Sequence, residues 1–189
     1  MRETSRETLK EAPGKHPGLH LAVGGHGKVQ FALSAQKLIL EYSPRLVICA
    51  GACGALTADL RVADIVAARN TIEHDFHSHF TSAPPPKFAG DAESLRRLEG
   101  RDVKFGDIAS GDEDVLNRER AAAIHSRTGG AMAVAWEGAG GARACRFTRT
   151  PFLELRAVTD LCDGETPWDF PRRVQLGMKR IASVLDALF

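Results

Sequence analysis

Apolar and polar positions along the chain switch between two periods, and the switches predict β-strands that alternate with α-helices. Strand-like runs occur at LHLAVGG (19–25), RLVICA (45–50), DIVAARNTIEH (64–74), DVKFGDIAS (102–110), GAMAVAW (130–136) and PFLELRAVT (151–159). Apolar residues at helical spacing predict helices over 28–42, 91–100, 117–127 and 138–147, and a last one that carries Val174, Met178, Ile181, Leu185 and Leu188. This order predicts an α/β fold with three α/β/α layers around a central mixed, largely parallel sheet.

The segments between these elements carry turn and cap residues. GACGAL (51–56) predicts a Gly-rich turn, and the three successive prolines of TSAPPPKFAG (81–90) predict a loop. Asp91 and Asn117 stand where helix N-caps are expected. Residues 1–18 are polar and charged and predict a flexible or irregular arm, whereas residues 19–189 predict one α/β domain.

Composition limits the partners of the chain. Apolar residues make up 43% of its 189 residues, enough for one core, and 25 Lys and Arg against 24 Asp and Glu give a net charge of +1. This balance argues against a nucleic-acid polymer or an anionic membrane as the main partner. No apolar run approaches the roughly 20 residues of a membrane span, and the N-terminus lacks the apolar centre of a secretory signal.

The cysteines predict a compartment. Cys49, Cys53, Cys145 and Cys162 form no CxxC pair and lie in apolar segments, which is typical of reduced, buried thiols in a cytoplasmic protein. A disulfide between two of them is the less favoured alternative.

Charged residues follow two successive strands. Glu137 follows the strand 130–136, and Arg156 and Asp160 mark the end of the strand 151–159. Ligands of such sheets bind at the carboxyl ends of the strands, so the three side chains predict a site. Two structural interpretations remain open: the helix dipole alone can stabilise Glu137, and Arg156 can form an ion pair with Asp160.

A cluster of possible metal ligands lies in EHDFHSHF, which contains Glu73, His74, Asp75, His77 and His79. On a strand, His77 and His79 would project to the same face. No distant third or fourth ligand accompanies them, so we expect neither a metal nor another cofactor.

Four motifs in order resemble the nucleoside phosphorylase and nucleosidase superfamily, of the purine nucleoside phosphorylase/uridine phosphorylase type. They are GHGKVQFALSAQKLI, VICAGACGALTADLRVADIVAA, GDIASGD and VAWEGAGGARACRFTRTPFLELRAVTD, and they run from about Gly24 to the C-terminus. They are most similar to the methylthioadenosine/S-adenosylhomocysteine nucleosidase branch. The resemblance implies hydrolysis of the N-ribosidic bond of a purine nucleoside in a homodimer or higher oligomer.

The resemblance also implies residue roles. Asp160 would protonate the departing base, Glu137 would bind the ribose hydroxyls, and Arg156 would orient water or hold phosphate. Gly51 and Ala52 would let the backbone approach the ligand, and Phe170 would contact the 5′-substituent. Phe80 would reach the site of a neighbouring subunit. Core packing is the alternative for either aromatic residue.

The chain departs from the family pattern at several positions. All of these except Cys49 are still expected to bind the substrate. Ala52 replaces a serine, Cys49 replaces a phosphate-binding arginine, Ala135 replaces a glutamate and Trp136 replaces a methionine. Asp114, before Val115, replaces an aromatic residue and would accept a hydrogen bond from the base, unless it is a solvated loop acid.

The N-terminal part departs furthest. The water-activating glutamate of the branch has no counterpart, because Glu3, Glu7 and Glu11 lie in the arm and follow no apolar strand. The first family strands are also missing, so a sheet reduced at the N-terminus is expected. Hydrolysis is therefore the first prediction. A phosphate-dependent phosphorylase and a catalytically weak nucleoside-binding protein are the alternatives.

Overall fold

The computed structural model describes residues 10–11, 16, 18–78, 80, 82–164, 168–186 and 188–189. The helices are α1 (Gly27–Tyr42), α2 (Ala92–Arg97), α3 (Arg118–Arg127), α4 (Gly138–Thr148) and α5 (Phe170–Leu185). The strands are β1 (Lys10–Glu11), β2 (His20–Leu21), β3 (Val47–Ala55), β4 (Ile65–Glu73), β5 (Lys87–Ala89), β6 (Lys104–Ser110), β7 (Ala133–Ala135) and β8 (Phe152–Asp160).

The central sheet has six strands in the order β5-β4-β6-β7-β3-β8. Its two longest pairings, β3 with β8 and β4 with β6, are parallel. An additional antiparallel pairing between Ile65–Ala67 of β4 and Ala157–Leu155 of β8 joins the sheet into a closed ring of β4, β6, β7, β3 and β8. The predicted α/β class and mixed central sheet are confirmed. The ring closure was not predicted, because it is a long-range pairing that no local sequence pattern indicates.

Helices pack against both faces of β8. β8 is buried almost throughout, and its side chains alternate between the two helical layers. Phe152 packs with Ala142 of α4 and Ala35 of α1 on one face, while Ala157 packs with Ile181 of α5 on the other. Glu154 and Arg156 share the period of Phe152, so they face the α4 layer.

Three local predictions need correction. The predicted turn is a strand over residues 51–55, which continue β3. The small side chains of these residues let side chains of the neighbouring strands approach the backbone closely. Lys87–Ala89, in the predicted proline loop, forms β5, since the prolines end at Pro86 and Phe88 is buried against the core. In LHLAVGG only His20–Leu21 is a strand, and it pairs with β1 outside the central sheet.

Other local predictions agree with the structure. The carboxylate of Asp91 accepts a hydrogen bond from the N–H of Ser94, as expected of an N-cap. The amide oxygen of Asn117 accepts one from the N–H of Arg120 in the same way. The predicted arm, residues 1–18, lies largely outside the described residues, although Lys10–Glu11 forms β1. The domain boundary after residue 18 therefore stays a prediction. Within the described part of the chain, no helix is long and apolar enough to cross a membrane.

Candidate active site

One cavity of about 1360 Å³ is lined by β3 from Val47 to Gly54, by the end of β7 and by the second half of β8. Its lining includes all but one of the residues predicted for the site: Gly51, Ala52, Asp114, Val115, Ala135, Trp136, Glu137, Arg156, Asp160 and Phe170. The exception is Phe80. Segments that are far apart in sequence therefore converge on one concave site, although β7 runs antiparallel to β3 and β8 and does not share a carboxyl edge with them.

The register of β3 against β8 explains why glycines recur in GACGAL (51–56). Gly51 is the partner of Arg156, and Gly54 is the partner of Asp160. A Cβ at Gly51 would lie 2.6 Å from Nη1 of Arg156, and one at Gly54 would lie 2.8 Å from Oδ1 of Asp160. The glycines thus make room for the two functional side chains of the neighbouring strand.

Arg156 is only 3% exposed, and its guanidinium contacts four groups. Its Nε donates to Oε1 of Glu154 at 2.8 Å, and its Nη1 lies 3.0 Å from Oε2 of Glu137. Nη1 also donates to the carbonyl oxygen of Ala52, and Nη2 to Sγ of Cys49. A guanidinium fixed this way presents one orientation to the cavity.

Burial disfavours the charge on Arg156, but the carboxylates of Glu154 and Glu137 outweigh it and raise the pKa of the guanidinium. The pKa of Cys49 is also raised, chiefly by burial. Arg156 therefore stays a cation and Cys49 a neutral thiol across the physiological range.

Glu137 is the N-cap residue of α4, but its side chain makes no capping hydrogen bond. Its Oε2 faces Arg156, and its Oε1 lies 3.8 Å from Nδ1 of His26. Ser110 fixes the β7–α4 junction, because its hydroxyl donates to the Trp136 carbonyl at 2.7 Å and accepts the Ala139 N–H at 2.9 Å. The carboxylate is thus directed into the cavity by more than the helix dipole.

Asp160 ends β8 and is half-buried at the cavity. Its Oδ1 accepts hydrogen bonds from the backbone N–H of Cys162 at 3.2 Å and from the Cys162 thiol at 3.4 Å. Burial, with Asp160 as a further cause, raises the pKa of the Cys162 thiol to about 12, so this thiol remains a donor. No ion pair joins Asp160 to Arg156 in the described structure; Arg156 pairs with Glu137 and Glu154 instead.

The remaining predicted residues lie around this centre. The Trp136 ring contacts the exposed imidazole of His26, with centroids 4.2 Å apart. Phe170 begins α5 with 41% of its surface exposed, so it is available to a ligand. Phe80 is 98% exposed and does not line this cavity. Its predicted contact with a neighbouring subunit's site stays a prediction.

Two acids at and just after the end of β4, Glu73 and Asp75, take part in a network of ion pairs. Lys28 contacts Glu73 at 3.1 Å and Asp75 at 2.5 Å, and Arg143 binds Glu73 from α4. His74 is fully buried, and neither of its ring nitrogens has a hydrogen-bond partner. Burial lowers the pKa of His74 against the opposing effect of Glu113. His79 lies outside the described residues, and among those described no three His, Cys, Asp or Glu residues are arranged to hold a metal ion.

Sequence reasoning missed three residues of the site: His26, Ser110 and Glu154. His26 could have been found as the histidine of GHGK, where the family motif has isoleucine. Ser110 belongs to the recognised SGD motif, but its role in fixing Glu137 needs the fold. Glu154 could have been found as a lone acid inside the apolar strand run FLELRAV.

Comparisons with known proteins point to one family. The family model described as the phosphorylase superfamily matches residues 13–189. The 5'-methylthioadenosine/S-adenosylhomocysteine nucleosidase of Staphylococcus haemolyticus is 30% identical over 181 residues, which cover 89% of this chain and 79% of that protein.

Solved structures agree with this match. The chain is similar to the nucleosidase of the same name from S. pneumoniae with a transition-state inhibitor, MT-ImmA, with a TM-score of 0.81, 28% identity, and coverage of 89% of this chain and 79% of that one. It is also similar to the Neisseria meningitidis nucleosidase in complex with methylthio-immucillin-A, with a TM-score of 0.82, 27% identity, and coverage of 97% and 89%. The predicted family is confirmed: the chain belongs to the phosphorylase superfamily.

Proposed function

We propose that the chain hydrolyses the N-ribosidic bond of a purine nucleoside that resembles methylthioadenosine or S-adenosylhomocysteine, releasing the base and the sugar. The observation that carries the proposal is that Glu137, which follows β7, and Asp160, which ends β8, line one cavity together with Arg156, whose guanidinium pairs with Glu137. The names of the similar proteins support the same substrate class.

The reaction needs a proton for the base and stabilisation of a cationic sugar. Asp160 donates its proton to a ring nitrogen of the purine as the bond from that purine to C1′ breaks. Glu137 accepts hydrogen bonds from the ribose hydroxyls and places negative charge beside the developing ribosyl cation. Water then adds its oxygen to C1′ and releases a proton.

His26 takes up that proton in this proposal. Its imidazole is exposed at the cavity, contacts the Trp136 ring and lies 3.8 Å from Glu137. A neutral imidazole accepts a proton from water, and the neighbouring carboxylate stabilises the imidazolium that results.

The 5′-substituent lies toward Phe170, and Asp114 and Val115 lie toward the base, as the family resemblance implied. Phe170 offers an apolar surface suited to a thioether. Asp114 is exposed, so it can accept a hydrogen bond from an exocyclic amino group without the cost of burial.

Two further expectations belong to the same proposal. A homodimer or higher oligomer would bring Phe80 of one copy to the cavity of another, as the exposure of Phe80 allows. A cytoplasmic location is supported by the cysteines, all four of which are described and are free and buried.

Product analysis tests the reaction. Purified protein is incubated with methylthioadenosine, S-adenosylhomocysteine, adenosine and inosine, with and without phosphate, and the products are separated by chromatography. We expect a free base and a free sugar without phosphate. Base release that requires phosphate would show a phosphorylase, and nucleoside binding without release would show the non-catalytic alternative.

A further inference from the structure

An acid is buried directly behind the functional arginine. Glu154 is fully buried in the middle of β8 and does not line the cavity. It lies two residues before Arg156 on the same face of the strand, and a carboxylate in that environment needs a partner for each oxygen.

Both oxygens of Glu154 have one. Oε1 accepts the Nε–H of Arg156 at 2.8 Å, and Oε2 accepts the hydroxyl of the buried Thr71 at 2.5 Å. Both interactions present donors to Glu154, as suits an ionised carboxylate, which can only accept.

The surrounding chain is shaped for this acid. A Cβ at Gly138 would lie 2.2 Å from Oε2 of Glu154 and 2.4 Å from Oε1, so only glycine at the first residue of α4 admits the carboxylate. Thr71, Gly138 and Glu154 come from β4, α4 and β8, and together they form a built pocket for one carboxylate behind the cavity wall.

The pocket changes the charge that the cavity presents. Arg156 lies between two carboxylates, Glu154 behind it and Glu137 at its cavity side. Two carboxylates around one guanidinium leave negative charge in excess. Such a centre attracts a cationic sugar and repels an anion that approaches Arg156.

We propose that Glu154 determines the choice of co-substrate, by neutralising Arg156 so that the cavity excludes phosphate and water attacks the sugar. The inference rests on the proposed function for its link to the reaction. Its physical content, exclusion of phosphate by a buried counter-ion, can be measured without turnover.

Glu154→Gln removes the charge while keeping the shape of the side chain and an acceptor for Arg156. Glu154→Asp keeps the charge, and Glu99→Gln makes the same charge change at an exposed acid outside the cavity. Binding of inorganic phosphate is measured by calorimetric titration in chloride buffer of constant ionic strength. Loss of a buried charge a few ångströms away predicts that E154Q binds phosphate at least about tenfold more tightly than the wild type, E154D or E99Q.

The inference is overturned if folded E154Q binds phosphate no more tightly than the wild type, or if E154D gains phosphate binding as E154Q does. Glu154→Met replaces the acid by an apolar side chain of similar length and serves if E154Q does not fold. Base release with phosphate present is followed in parallel. If the wild type cleaves no nucleoside, the proposed function fails, while the phosphate contrast still decides the role of Glu154.

Discussion

Gly51 and Arg156 are partners across the parallel strands β3 and β8, and a Cβ at Gly51 would lie 2.6 Å from Nη1 of the guanidinium. The glycine is needed for this close approach, because its backbone is ordinary extended strand. Gly51→Ala should therefore displace Arg156 and its contact with Glu137. We expect kcat/KM for nucleoside cleavage to fall about 10- to 100-fold, as small misplacements of catalytic groups commonly cause.

Gly106→Ala is the matched control for this change. Gly106 lies in β6, and its Cβ would crowd the flexible side chain of Met132, away from the cavity. Both variants should lose some thermal stability, but only G51A should lose activity. Equal activity losses at equal stability would show that Gly51 serves packing alone.

Ser110 tests whether the β7–α4 junction positions Glu137. Ser110→Ala removes two hydrogen bonds, one to the Trp136 carbonyl and one from the Ala139 N–H, and leaves buried backbone groups unpaired. We expect a loss of about 1–3 kcal/mol in the free energy of unfolding, together with a higher KM. Denaturant unfolding and steady-state kinetics measure the two effects.

Ser94→Ala provides the comparison. Ser94 is also a buried serine, and its hydroxyl donates to the N-cap Asp91 of α2, outside the main cavity. This variant should lose stability with KM unchanged. A rise in KM of the same size in S94A would mean that general loosening, and not the junction, affects substrate binding.

His26 tests the proposed path of the water proton. His26→Asn keeps a polar side chain beside Trp136 but cannot accept the proton efficiently, so kcat should fall about 100-fold or more with little change in KM. His20→Asn is the control, since His20 is an exposed imidazole of the cavity lining that stacks on Tyr42. Unchanged kcat in H26N would remove His26 from the mechanism.

The lowered pKa of His74 predicts how the free energy of unfolding depends on pH. Its pKa is lowered in the folded protein from the ordinary 6.5, chiefly by burial. Below about pH 6.5 the unfolded chain therefore binds a proton that the folded chain does not, and stability falls as the pH falls, by at most about 1.4 kcal/mol per pH unit. Between pH 6.5 and 5 the carboxyl groups of Glu113 and Asp75 contribute little, because their ordinary pKa values of 4.5 and 3.8 lie below this range and the folded protein lowers them further, so both groups are largely ionised in the folded and in the unfolded chain.

Thermal unfolding between pH 5 and 7.5 measures this slope. His74→Asn should flatten it, whereas His77→Asn, at an exposed position, should leave it as in the wild type. A slope in H74N as steep as that of the wild type would assign the titration to another group.

The sequence predicted most elements of the domain because their signals are local. Strand runs, helix spacing and the caps Asp91 and Asn117 depend on neighbouring residues. The glycines of GACGAL (51–56) predict a turn, whereas Gly51 and Gly54 make room for β8 side chains within a strand. A glycine needed for close approach looks the same in sequence as one needed for a turn.

The candidate site divides in the same way. Glu137, Arg156 and Asp160 were predicted from recognisable motifs; Glu137 follows β7 and Asp160 ends β8 as expected, whereas Arg156 lies in the middle of β8. The partners that fix them were not predicted, since Thr71, Gly138 and Glu154 belong to three elements that meet only in the folded chain. The closure of β4 onto β8, which brings Thr71 to Glu154, leaves no local pattern.

We propose that Asp160 protonates the departing base, and adenine release from methylthioadenosine by Asp160→Asn beside the wild type tests this role. Asp102→Asn, at an exposed acid outside the cavity, is the control for the charge change. We expect rapid phosphate-independent release by the wild type and D102N, and a rate at least about 100-fold lower in folded D160N. Release by D160N at the wild-type rate would show that Asp160 does not supply the proton.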